Sequence, residues 1–158
     1  MGRFTRNELE NAFRIYRTAA DQSSETGDWT IWASIFTEDA TYIEHAYGEF
    51  HGRQEIEQWI VNVMKPFPHM RFPVTWHAID EATDAVVFEV RNTLDHPTQP
   101  GTEFWFPNWT RIVYAGDGLL SHEEDIYNPA RDGNRVVREW LKAGGRPATQ
   151  SFLAMKYA

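Results

Sequence analysis

Three carboxylates stand where strand spacing could turn them to chemistry. Glu44 ends the aromatic run Thr41-Tyr42-Ile43-Glu44, and Glu123 and Asp125 lie two residues apart in His122-Glu123-Glu124-Asp125-Ile126-Tyr127. A carboxyl group screened from water has a raised pKa and can shuttle a proton beside a carbonyl. Side chains alternate along a strand, so Tyr42 shares a face with Glu44, and Glu123 shares one with Asp125 and Tyr127. Composition does not choose which face of the first strand turns inward. Two acids on one pocket wall are costly unless hydrogen-bonded or protonated, and partial exposure of Glu123 is the easier resolution.

The histidines offer less. His45 and His51 are symmetric about Gly48, so a regular hairpin could pair them across its strands. No third ligand joins them, and no metal site is expected. His77 is a candidate strand base, whereas His69, His96 and His122 read as surface or loop residues. The chain has no cysteine, which excludes disulfides, thiolate nucleophiles and Cys-ligated metals. Its glycines punctuate turns rather than cradle a phosphate, and no Ser-His-Asp order is readable. Whatever chemistry the chain performs is expected to need no cofactor.

The elements that must position these groups follow from periodicity. Leu9, Phe13, Tyr16 and Ala20 recur at helical steps and predict a first helix from about Thr5 to Ser24, stopped by Gly27. Asp28 is placed to cap a second helix carrying Trp29, Trp32, Ile35 and Phe36. Thr37-Glu38-Asp39 reads as a polar break before the strand at Thr41, with Gly48 at a hairpin tip. Ile56, Trp59, Ile60, Val63 and Met64 mark a third helix ended by Pro66 and Pro68. Four strands are expected over roughly 70–80, 84–94, 102–115 and 118–127, with a tight turn at Gly116-Asp117-Gly118. A short helix or arm from Arg135 to Lys142 halts at Gly144-Gly145. Helices segregated against one long, curling antiparallel sheet make an α+β fold with a conical cavity between them.

With 158 residues the chain fits one domain, a core of about 5–128 followed by a C-terminal helix or arm over about 129–158. Lys plus Arg number 15 against 23 Asp plus Glu, and this net charge of −8 argues against nucleic acid as a partner. MGRFTRNELE lacks a signal-peptide core and no apolar run approaches ~18 residues, so no membrane contact and a cytoplasmic location are expected. The 7 Trp, 10 Phe and 6 Tyr serve a large-residue core, or line a cavity for a flat apolar ligand; Trp105, Phe106 and Trp109 crowd one segment.

The ordered pattern GDW…W…IFTEDATYIE…G…HGRQEIEQWI, with VYAGDGLLSHEEDIYNP near the end, resembles the nuclear transport factor two-like superfamily. It is most similar to the SnoaL-like small-molecule branch that includes ketosteroid isomerases, limonene epoxide hydrolases and scytalone dehydratases. The resemblance runs from the first helix to Asn128 and implies a cone-shaped, cystatin-like α+β barrel, a homodimer through the outer sheet face, and one deep pocket. Counting from Asp28 along the isomerase pattern reaches Glu44 as the inward base, and Tyr16 matches the oxyanion-stabilising tyrosine. The second oxyanion acid has no counterpart in Pro107-Asn108-Trp109-Thr110, where Asn108 or Thr110 could donate instead. Asp125 matches the last-strand acid of the hydrolases, but Arg91-Asn92-Thr93 keeps their arginine and lacks their aspartate.

The expected pocket is therefore lined from Tyr16, Trp32, Tyr42, Glu44, Asn108, Thr110, Glu123, Asp125 and Tyr127. Glu44 or Asp125 is the expected base, with Tyr16 and Asn108 as hydrogen-bond donors, acting on a small apolar cyclic substrate. Isomerisation, dehydration, cyclisation and hydrolysis all fit one such scaffold. The alternative is a ligand-binding or assembly protein without catalysis. It predicts a pocket filled by its own aromatics, or Glu44 pointing outward.

Overall fold

The computed structural model describes residues 2–157. Helix α1 (Arg6–Thr26) starts at a capping box, in which the Thr5 hydroxyl accepts from the Glu8 N–H and the Glu8 carboxylate accepts from the Thr5 N–H. It stops at Gly27, whose φ of 77° is a left-handed cap open to glycine at little cost. Its apolar stripe buries Leu9, Phe13, Tyr16 and Ala20.

Helix α2 (Thr30–Ala33) is a single turn. Asp28 does receive the Thr30 N–H, but Ile35 and Phe36 leave the helix, and strand β1 runs from Phe36 to Glu44. The polar residues 37–39 are therefore strand rather than break. Pairing of Phe36 with Leu120 outweighs the local helical pattern. Strand β2 (Gly48–His51) follows a turn at residues 45–47, so Gly48 opens the returning strand. Its register sets Glu44 opposite Gly48 and Thr41 opposite His51. His45 and His51 are thus not paired. Helix α3 (Arg53–Met64) buries Ile56, Trp59, Ile60 and Met64.

Strands β3 (Val74–Asp80), β4 (Ala85–Asp95), β5 (Glu103–Gly116) and β6 (Leu119–Ile126) form the expected meander. The six strands make one sheet in the order β2-β1-β6-β5-β4-β3. All neighbours are antiparallel except β1 and β6, which run parallel and make the sheet mixed. The long return through α3 and the meander is what allows a parallel junction. It brings the last strand against the first, so that β1 and β6 are the second and third strands of the sheet.

The core fills the concave side, between α1, α2, α3 and the sheet. Phe88 is fully buried, with ring centroids 4.8 Å from Phe13 and 5.1 Å from Tyr16, and fixes α1 on β4. The convex side is different. Trp76, Trp105, Trp109 and Ile126 stand exposed there, with Trp76 and Trp109 edge to face at 5.3 Å and the Arg91 guanidinium over Trp105 at 4.2 Å.

After β6 a π turn (Pro129–Gly133) leads into α4 (Asn134–Lys142), which ends before Gly144 as expected. The chain then doubles back as an extended strap. The Ala148 N–H donates to the Pro66 carbonyl at 2.9 Å, and the Lys156 and Tyr157 N–H groups both donate to the Ala46 carbonyl, at 2.7 and 3.0 Å. Among the described residues, no helix is long and apolar enough to cross a membrane.

Candidate functional site

A cavity of about 550 Å³ opens between the concave sheet face, the helices and the strap. Each element contributes through its register. β1 turns Tyr42 and Glu44 inward, and β6 turns Glu123 and Asp125 inward; the parallel pairing sets Tyr42 beside Glu123 and Glu44 beside Asp125. β5 adds Asn108 and Thr110, the latter opposite Asp125. Tyr16 comes from α1, Trp32 from α2, and Tyr127 from the residue after β6. All nine sequence-selected residues meet on this one cavity.

The acids are not equivalent. Glu123 is 1 % exposed, which corrects the expectation of partial exposure. The Tyr16 hydroxyl reaches in from α1 and donates to Glu123 Oε1 at 2.8 Å, while Oε2 has no partner within the protein. Burial, reinforced by the nearby Asp125 charge, pushes Glu123 well above the usual carboxylate range. Asp125 sits differently. The Tyr42 and Thr110 hydroxyls donate to its two oxygens, and Asn108 lies beside them, its Nδ2 donating to Thr110 Oγ1 at 3.4 Å. Burial raises its pKa, and these three side chains oppose the rise. Burial raises both acids on β6, and their hydrogen-bond donors are unequal: one phenol on Glu123, two hydroxyls on Asp125.

Glu44 is inward and 3 % exposed. Its Oε2 accepts from the Ala46 and Tyr47 N–H groups, at 2.7 and 2.6 Å, so the carboxylate also ties the β1–β2 turn. Burial raises its pKa, against the Tyr127 hydroxyl and those two backbone donors. The phenols of Tyr16 and Tyr42 are pushed well above their ordinary range, chiefly by burial, and Tyr47 is pushed up to about 12. They act as neutral donors.

Other expected groups lie elsewhere. Arg91 points to the convex face, while its neighbour Asn92 faces the cavity, so the hydrolase-like arginine is outside the pocket. His77 packs on Phe13 at 4.7 Å with Nε2 3.1 Å from Glu10, away from the cavity, which removes it as a pocket base. His45 is bonded to Glu124 at 2.9 Å on the outside. Among the described residues, no three His, Cys, Asp or Glu side chains gather as a metal site. Trp105 and Trp109 are convex-face residues, leaving only Phe106 of that cluster on the cavity.

The sequence reading missed the strap. Phe152, Leu153 and Met155 cover one side of the cavity, with Phe152 against Phe67 at 5.8 Å. The signal was a short apolar run beyond Gly144-Gly145, with nothing local to say where it lands.

Comparison with known proteins agrees with this architecture. The SnoaL-like domain pattern matches residues 16–123, more than half of the chain. No functionally curated protein matches the sequence. Among solved structures, a Bacillus subtilis protein provisionally named an isomerase superposes with TM-score 0.63 at 18% identity, covering 95% of this chain and 99% of its own. An LEH-like epoxide hydrolase of M. tuberculosis gives 0.62 at 15%, covering 87% and 94%. A Catenulispora acidiphila protein with a ketosteroid isomerase-like fold, in complex with trimethylamine, gives 0.58 at 23%, covering 75% and 92%.

The raised pKa of Glu123 has a stability consequence. The folded chain keeps the Glu123 proton at pH values where the unfolded chain has released it, so stability falls as pH rises from about 4.3 through the raised folded value. Glu123→Gln keeps the acceptor for Tyr16 and removes this titration. Denaturant unfolding across that range should show a shallower decline for the variant; an unchanged slope would contradict a protonated Glu123. With the fold, the cavity and the sequence match together, the chain belongs to the SnoaL-like domain family.

Proposed function

We propose that the chain is a cofactor-free acid–base enzyme that moves a proton beside a carbonyl on a small apolar cyclic substrate. The observation that carries this reading is the unequal pair on β6, set in a cavity walled mainly by aromatic and aliphatic side chains. Asp125 is the proton acceptor, held as an anion by Tyr42, Thr110 and Asn108. Glu123 is the proton donor to the carbonyl oxygen, through the Oε2 that has no protein partner. A donor placed where charge develops stabilises the enolate more than the ground-state ketone. Tyr16 spends its hydroxyl on Glu123 and so positions the acid rather than touching substrate.

Enolisation of this kind serves isomerisation or cyclisation. Arginine-assisted epoxide opening is disfavoured because Arg91 faces away. A purely structural role is disfavoured too, since the cavity is not filled by its own aromatics and Glu44 points inward. The test is exchange of carbon-bound hydrogen in deuterium oxide, followed by NMR over a panel of cyclic ketones. The chain should catalyse exchange next to the carbonyl, and Asp125→Asn and Glu123→Gln should each slow it by about 10²–10⁴-fold while folding normally. Full activity in both variants would refute the assignment.

The convex face is assigned to a second copy of this chain. Four large apolar side chains exposed on one sheet face exceed what a solitary surface ordinarily carries. Sedimentation equilibrium should give twice the 18.4 kDa chain mass, and Trp109→Glu should return it to the monomer. A wild-type monomer at high concentration would contradict this.

A further inference from the structure

The charge balance of the cavity asks for something its own walls do not supply. Three carboxyl groups, Glu44, Glu123 and Asp125, line it, and no Lys, Arg or His does among the described residues. Proton transfer on β6 uses Glu123 and Asp125 and leaves Glu44 without a part. Glu44 is nevertheless buried, and its charged form is favoured only by neutral donors: two backbone N–H groups and the Tyr127 hydroxyl. His45, the next residue along the chain, is turned outward onto Glu124. Burial disfavours the charged form of Glu44, and a ligand carrying a positive charge would stabilise it.

The surroundings of Glu44 fit such a charge. Tyr42, Tyr47, Trp59 and Tyr127 line the cavity together with Glu44, and Tyr127, the residue after β6, lies close to its carboxylate. Aromatic faces around a carboxylate attract an organic cation through the ring quadrupole and the full charge together. A second observation points to a ligand in the same cavity. Glu123 Oε2 and Asn108 Oδ1 are buried polar atoms with no partner in the protein, and both residues line this space. Buried polar atoms are ordinarily satisfied, so these are places for ligand atoms.

We propose that the molecule bound here is an apolar amine that also carries the reacting carbonyl, held as its ammonium ion by Glu44 on the side of the cavity lined by Tyr47, Trp59 and Tyr127. Its hydrocarbon body lies against the apolar wall, and its reacting end reaches Glu123 and Asp125. The acidic balance of the whole chain attracts the same charge. The proposal rests on the cavity being the small-molecule site, and adds the chemical class of the molecule.

The test uses two probes of one shape, N,N-dimethyl(naphthalen-1-yl)methylamine and 1-isobutylnaphthalene, titrated calorimetrically into the full-length protein at neutral pH. The cationic amine should bind about tenfold more tightly or better than the hydrocarbon. Glu44→Gln should erase that preference while leaving hydrocarbon affinity unchanged, which also reports that the variant is folded. Glu44→Asp, which keeps the charge, should retain part of it. Equal binding of both probes by the wild type overturns the amine assignment and leaves the cavity as an apolar site. Binding of neither overturns both readings. A preference that survives Glu44→Gln overturns the assignment of the ammonium site to Glu44.

Discussion

Two carboxyl groups that project from one face of one strand into an apolar cavity cannot both carry charge at low cost. Glu123 and Asp125 are in that position, and much of the concave side is arranged around the conflict. The parallel pairing of β1 with β6 sets Tyr42 beside Glu123, and its hydroxyl reaches Asp125. Thr110, directly across on β5, supplies another hydroxyl to the same carboxylate. Glu123 receives one phenol and no cation, and burial favours its protonated form. The two acids differ in donor count and burial, and the proposed division of roles rests on that asymmetry.

That arrangement depends on α1 being held to a fraction of a helical turn. Tyr16 meets Glu123 only because Phe13 and Tyr16 pack on Phe88, and Trp32 closes edge-on against Tyr16 at 6.3 Å. The same aromatic packing that makes the core therefore aims the acid. The strap adds a further dependence. It is anchored on the Ala46 carbonyl, and the Ala46 N–H is one of the two backbone donors to Glu44. The cover of the cavity and the placement of Glu44 share one turn.

Much of this was legible in the sequence because it rests on local period. The stripe of α1 marked Tyr16 for burial and alternation on β6 grouped Glu123 with Asp125 and Tyr127, while the resemblance to the isomerases singled out Glu44, counted from Asp28, and Tyr16 as site residues. What was not legible depends on distant partners. The full burial of Glu123 is met by Tyr16 from the other end of the chain, a partner invisible locally, so the cost of two acids on one wall suggested partial exposure instead. β1 begins at Phe36 rather than Thr41 because Leu120 is waiting opposite it. Trp105 and Trp109 share a period with the cavity-facing Phe106 and Asn108 but lie on the alternate face, and only the β4–β5 register decides which face is which. The resemblance to the SnoaL-like branch carried the scaffold; the hydrolase aspartate and the isomerase acid are missing, and the pairing of Glu123 with Asp125 on β6 is displayed by no single motif.

The protonation of Glu123 is open to direct observation. Infrared difference spectra between the wild type and Glu123→Gln, recorded at neutral pH in protonated and deuterated buffer, isolate the vibration of that one carboxyl group. The account predicts a neutral carboxylic acid carbonyl band in the wild type, shifted by deuteration and absent from the variant. A difference spectrum holding only carboxylate bands would contradict it, and with it the division of labour between Glu123 and Asp125.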